Sequence, residues 1–155
     1  MSDLPLDIKV YLEESKMFEE KSANFPNINE WLTLSGTGAH TNAQYLMDIN
    51  RKRCTLSRIT LQERVYTTYQ LLRLDIDTKP HRNPDGQKIG GTHLHIYNEH
   101  CGDAYAYELT DPYLRTLFPD FDFTTLLTTD QVRRFYAFCR LCNFSNTIMF
   151  QAPLL

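Results

Sequence analysis

Residues 54–77 read CTLSRITLQERVYTTYQLLRLDID, and their alternation decides the fold. In the first half, Thr55, Ser57, Ile59, Leu61 and Val65 share one phase, while Leu56, Arg58, Thr60, Gln62, Arg64 and Tyr66 share the other. In the second half, Leu72, Leu74 and Ile76 alternate with Leu71, Arg73, Asp75 and Asp77. A period of two belongs to strands with one apolar and one polar face. Working outward, QYLMDIN (44–50) leads into this pair through the basic turn Arg51–Lys52–Arg53. Downstream, THLHIYNE (92–99) sets Leu94 and Ile96 against His93, His95, Tyr97 and Glu99, and DAYAYEL (103–109) makes one further strand. The links are short, so the strands pair antiparallel; parallel pairs would need long crossovers.

The chain ends have a different character. LPLDIKVYLEESKMFEEK (4–21) is rich in Glu and Lys, with apolar residues loosely spaced at Leu6, Val10, Leu12 and Phe18, and predicts an N-terminal helix. SANFPNINE (22–30) breaks the pattern, and EWLTLSG (30–36) is compatible with a short strand before the Gly-rich GTGAHTN. Pro112 and Pro119 interrupt residues 110–123. TTDQVRRFYAFCRLCNF (128–144) then predicts a C-terminal helix, with Thr128 and Gln131 as a capping box and Val132, Phe135, Tyr136, Cys139 and Cys142 as the apolar stripe. The fold class is α+β: one domain over 1–155, an antiparallel meander of about five to six strands, with an N-terminal and a C-terminal helix packed on its apolar face.

Composition narrows the function classes. The apolar content is 42%, which argues against general disorder, and the net charge of -3 gives no overall attraction to nucleic acid or anionic membrane. No apolar run has membrane-spanning length and no secretory leader is evident, so the expected setting is cytoplasmic, with no membrane partner and four cysteines kept as thiols. SGTGAH lacks the Lys-Ser/Thr of a phosphate-cradling loop. Cys139-x-x-Cys142 falls on the apolar stripe of its helix and reads as two core thiols.

The stretch HRNPDGQKIGGTHLHIYNEH (81–100) holds four of the five histidines. Asn83–Pro84–Asp85–Gly86 suits a type I turn. Symmetric pairing about Pro84 and Asp85 would put Asp75 beside Leu94, mixing polar and apolar residues on one face. One extra residue, most simply a bulge at Gly90–Gly91, restores the phase and pairs Asp75 with His95, Leu74 with Ile96 and Arg73 with Tyr97. The exposed polar face then gathers Arg73, Asp75, His93, His95 and Tyr97. This cluster has the components of phosphodiester cleavage without a metal: His93 and His95 as acid and base, Asp75 to orient one imidazole, and Arg73, Arg58 and Arg64 to hold phosphate, with Tyr97 and His81 as further substrate contacts. A metal on His93, His95 and Asp75 is a second option. It depends on a guessed register, so neither a metal nor a cofactor is assigned.

DINRKRCTLSRITLQERV, LLRLDID, HRNPDG and GTHLHIYNE, in this order over residues 44–109, resemble a family of small bacterial and prophage proteins catalogued as a domain of unknown function. The resemblance implies a bacterial or phage setting, in which host–phage and toxin–antitoxin conflict is common, and no particular activity. Two readings compete. One is a non-catalytic binding or regulatory module with a protein partner, for which the apolar and acidic residues 111–127 offer a surface. The other is a phosphodiesterase or ribonuclease acting on RNA or a nucleotide. The sequence leaves the homo-oligomeric state open.

Overall fold

The structure is a computed structural model in which residues 4–52 and 55–151 are described. Arg53 and Cys54, assigned above to a basic turn and a strand start, lie outside the described residues. In chain order the elements are α1 (Ile8–Glu13), β1 (Lys16–Phe18), β2 (Ser22–Ala23), β3 (Trp31–Gly38), β4 (Gln44–Asn50), β5 (Ile59–Val65), β6 (Tyr69–Ile76), β7 (His81–Arg82), β8 (Lys88–Ile89), β9 (His93–Ile96), β10 (Ala106–Tyr107), α2 (Pro112–Leu117), a 3-10 turn (Phe123–Leu127), α3 (Gln131–Leu141) and β11 (Met149–Phe150).

The fold is α+β, built on a seven-stranded antiparallel sheet in the order β1-β3-β4-β5-β6-β9-β10. Two short ladders stand outside it, β2 with β11 in parallel and β7 with β8 antiparallel. The alternation in β5 is realised residue by residue: Ile59, Leu61, Glu63 and Val65 are buried, while Thr60, Gln62 and Arg64 are half-buried. Ile59, Leu61, Met47, Ile49 and Leu74 join Phe135, Phe138 and Cys142 in one core cluster. Burying this apolar face against α3 is the main driving force for folding.

Several local expectations are corrected. The N-terminal helix is short. Asp7 caps it by accepting from the Lys9 amide at 2.8 Å, and it ends at Glu14, whose backbone is extended. Tertiary contacts override helix propensity here. Glu14 turns its carboxylate to the amides of His40 and Thr41, both at 2.9 Å, and to the Thr41 and Tyr45 hydroxyls. Lys16 starts an edge strand instead of a helical turn. The cap of α3 is Asp130, which accepts from the amides of Val132 and Arg133, so Thr128 and Gln131 do not form the capping box. In β6, Glu63 pairs with Leu72 but Arg64 pairs with Gln70. Leu71 is the extra residue of a bulge, and it is fully buried with Leu72 instead of lying on the polar face.

The largest polar intrusion into the core is Lys16–Glu63. Both side chains are fully buried, with Nζ 3.1 Å from the carboxylate. Lys16 also donates to the Cys142 carbonyl at 2.7 Å and lies over the Tyr45 ring. Burial raises the Glu63 carboxyl above its ordinary value, against the attraction of Lys16. Burial likewise raises the thiols of Cys139 and Cys142, consistent with inert core residues.

Candidate functional site

The site is assembled by the hairpin of β7 and β8. The Gly86 amide donates to the Asn83 carbonyl at 2.8 Å, and Gly86 has φ 91°, as expected of the turn Asn83–Gly86. The hairpin is pinned across the sheet edge. Asn83 exchanges two side-chain bonds with the backbone of Ala106, at 2.8 and 2.9 Å, and His81 Nε2 donates to the Ala104 carbonyl at 2.7 Å. Asn83 thus completes the hydrogen bonding of β10, and the segment folds over the polar ends of β6 and β9.

The register of β6 and β9 differs from expectation. Asp75 pairs with His93, Arg73 with His95 and Leu74 with Leu94. The separation of polar and apolar faces is as expected, because a shift of two residues preserves side-chain phase. The additional residues lie before the hairpin, over Asp77–Pro80, where Asp77 takes a left-handed φ of 55°. Gly91 serves a different purpose from a bulge. Its carbonyl accepts from the Thr78 amide at 2.9 Å, and a Cβ added there would stand 2.2 Å from the Thr78 carbonyl oxygen. Gly91→Ala should therefore lower stability by about 1–3 kcal/mol, as expected for forced overpacking. Gly90→Ala, whose added Cβ meets nothing nearer than 3.9 Å, should be near neutral. Equal denaturation midpoints for the two variants would refute this assignment.

At the centre of the site is Asp75. Its Oδ2 lies 3.0 Å from His93 Nε2 and 3.3 Å from His95 Nε2. Its Oδ1 accepts from the Thr60 hydroxyl at 3.0 Å and lies 3.2 Å from Arg73 Nε. Both Nδ1 atoms are held by backbone carbonyls, His93 by Gly90 at 2.5 Å and His95 by Asp103 at 2.8 Å. Because His95 Nδ1 donates to a carbonyl, its Nε2 offers a lone pair, and Arg73 Nη2 donates to it at 2.8 Å. Burial and the neighbouring guanidinium lower the His95 pKa below 6.5, against the pull of Asp75, so this ring is neutral at pH 7. Burial opposes the charged form of Asp75, but the flanking His93 and His95 rings and the charge of Arg73 outweigh it and hold the carboxyl well below the usual range.

The cluster is buried, which corrects its placement on an exposed face: His93 and His95 are 1% and 2% exposed. His81 joins them, its ring centroid 4.7 Å from that of His95. Tyr97 does not join. It packs edge-on against Tyr69 and belongs to the apolar core. Arg64 lies further along the polar face, where its Nε and Nη2 hold Asp48 at 2.6 and 2.9 Å. The Arg58 side chain, on the same face, makes no hydrogen bond or ion pair among the described residues.

Beside the buried cluster the polar face is open. A pocket of about 450 Å³ is lined by Arg58, Arg73, Asp75, Lys79, His81 and His93, among others. A second, of about 370 Å³, is lined by Trp31, Thr33, Asp48 and Arg64. The two share Asn50, Thr60 and Gln62, so they form one groove across β3–β6 and the start of the hairpin. Sequence reasoning missed two contributors. Asn83 looked like an ordinary turn residue, and Trp31, 60% exposed beneath the Lys52 ammonium, looked like part of a short strand.

A family of unknown function, DUF6978, matches residues 6–144. The chain belongs to this family. The DUF6978 match extends well beyond the motif-bearing residues 44–109 and takes in α1 and α3. No curated protein and no solved structure gives a significant match to the chain. No helix among the described residues is long and apolar enough to cross a membrane.

Proposed function

We propose that the chain is a non-catalytic binding module that receives an acidic segment of a protein partner in the groove of its polar sheet face. The observation that carries this reading is the division of labour on that face. The imidazoles a phosphodiesterase would need are buried, with every ring nitrogen of His93 and His95 facing a protein group. A general acid or base must instead reach substrate. The groove beside them remains open and basic, with Arg58, Arg64, Arg73 and Lys79 against Asp48 and Asp75. Four cations against two carboxylates give a local excess of two positive charges, on a chain whose net charge is -3. Arginine and tryptophan are also the residue types that anchor protein interfaces. The bacterial or phage setting and cytoplasmic location implied by the sequence fit such a regulator.

Trp31 is the only tryptophan in the chain and reports on the groove directly. Titration with a glutamate-rich peptide should change its emission, and the affinity should fall as salt rises. Arg58→Glu should weaken binding about tenfold, or ~1.4 kcal/mol. The rival reading predicts that an RNA oligonucleotide is cleaved and that His93→Gln abolishes cleavage while the fold persists. That result, or a peptide that leaves Trp31 unaffected, overturns the proposal.

A further inference from the structure

We propose that Asp75, His93 and His95 form a binding site for one divalent transition-metal ion of the zinc, iron or cobalt type, entered when Arg73 swings into the adjacent pocket. One ligand atom from each residue lies within 4.8 Å of the other two, and all three residues are buried. The orientation of the rings is the second observation. Each imidazole gives its Nδ1 hydrogen to a backbone carbonyl, of Gly90 or Asp103, which leaves both Nε2 atoms aimed at the same carboxylate oxygen. This is how proteins orient metal-ligating histidines: the outer nitrogen is tied down and the inner lone pair is fixed.

His93 Nε2 and His95 Nε2 stand 3.0 and 3.3 Å from one Asp75 oxygen, so a cation placed among them would meet three ligand atoms at once. Arg73 occupies that side of the centre, through Nη2 on His95 and Nε near Asp75. Its hold is imperfect, because Nε is buried without a well-aligned hydrogen-bond acceptor. The Arg73 side chain is 27% exposed and lines the open pocket, so it has room to leave. Two imidazoles and one carboxylate suit borderline transition metals and not magnesium or calcium, which prefer all-oxygen sites. The remaining coordination positions would face the pocket and be filled by water.

The inference does not depend on the acidic-peptide reading, and its test uses no peptide. The full chain is treated with chelator, dialysed and titrated with Co²⁺, with visible absorption and calorimetry as readouts. One equivalent should bind with d–d bands. Arg73→Ala should bind about tenfold more tightly, since the competing cation is gone. His95→Gln should lose about 100-fold in affinity. X-ray absorption of the wild-type cobalt form should show two imidazole ligands, and this decides the matter if the histidine variants fail to fold. The proposal is overturned by a wild-type chain that binds neither Co²⁺ nor Zn²⁺ at micromolar concentrations, by binding that survives in His95→Gln, or by fewer than two imidazoles. Binding by Arg73→Ala alone also overturns it, because Arg73 would then be the permanent occupant.

Discussion

Lys16→Met should destabilise the protein by about 3–5 kcal/mol, because it leaves the Glu63 carboxylate unpaired in the core. The loss should depend on pH in a definite direction. Burial raises the Glu63 pKa above 4.5 in the folded state, so the folded chain binds a proton more readily than the unfolded chain over the window just above 4.5. Removing Lys16 removes the counter-attraction and raises that pKa further. Stability of Lys16→Met should therefore recover as pH falls from 8 towards 5, where the lone carboxyl becomes neutral. In the wild type the opposite trend should take over at lower pH. Hydrogen bonds from Tyr45 and Thr41 hold Glu14 below 4.5 despite its burial, and Arg64 and Thr33 hold Asp48 below 3.8 despite its burial. The stability these two contribute is complete above their ordinary values and is lost as pH drops beneath them. The double variant Lys16→Met/Glu63→Leu should return to within about 1–2 kcal/mol of wild type, since a well-packed apolar pair replaces a buried ion pair at little cost. Urea denaturation across this pH range checks all three statements. A Lys16→Met loss that is constant with pH would contradict them.

Asp75→Ala is the second large effect, at about 2–4 kcal/mol. It removes the carboxylate that Thr60, His93 and His95 surround and strands a guanidinium beside them. The loss stays below that of a fully buried pair because Arg73 can turn to solvent through the pocket. Arg64→Ala provides the contrast. Its partner Asp48 and its own side chain are partly exposed, so the loss should be about 0–1 kcal/mol. Native-state hydrogen exchange would localise the Asp75 effect. Protection should fall at the amides of β9 and the β7–β8 hairpin and persist in β4 and β5. A uniform loss of protection would show that the network supports the whole sheet and not the hairpin alone.

How much of this was legible in the sequence depends on the range of the interaction. QYLMDIN and the alternation in ITLQERV gave strands at the right places, because side-chain phase is a local property written every second residue. Glu63 stands in phase with Ile59, Leu61 and Val65 but was not counted with them, and its partner Lys16 lies 47 positions away on a segment whose composition favours helix. Grouping Arg73, Asp75, His93 and His95 on one face followed from phase alone. Their exact pairing did not, because registers two residues apart give the same faces and differ only through the left-handed Asp77 and the close approach of Gly91 to Thr78. Burial of the cluster was illegible for a further reason. It depends on His81 and Asn83 reaching residues 104–106, hydrogen bonds that span 23 positions and leave no periodic trace. The bulge at Leu71 and the cap at Asp130 were decided among adjacent candidates by packing.

The central claim is that the polar sheet face binds while the histidine cluster behind it holds the hairpin in place. Amide chemical-shift mapping with a glutamate-rich peptide tests it most directly. Perturbations should trace the groove through Trp31, Asn50, Arg58, Thr60 and Gln62, with much smaller changes on α3 and β11. Perturbations confined to the helical side of the sheet, or none at saturating peptide, would contradict it.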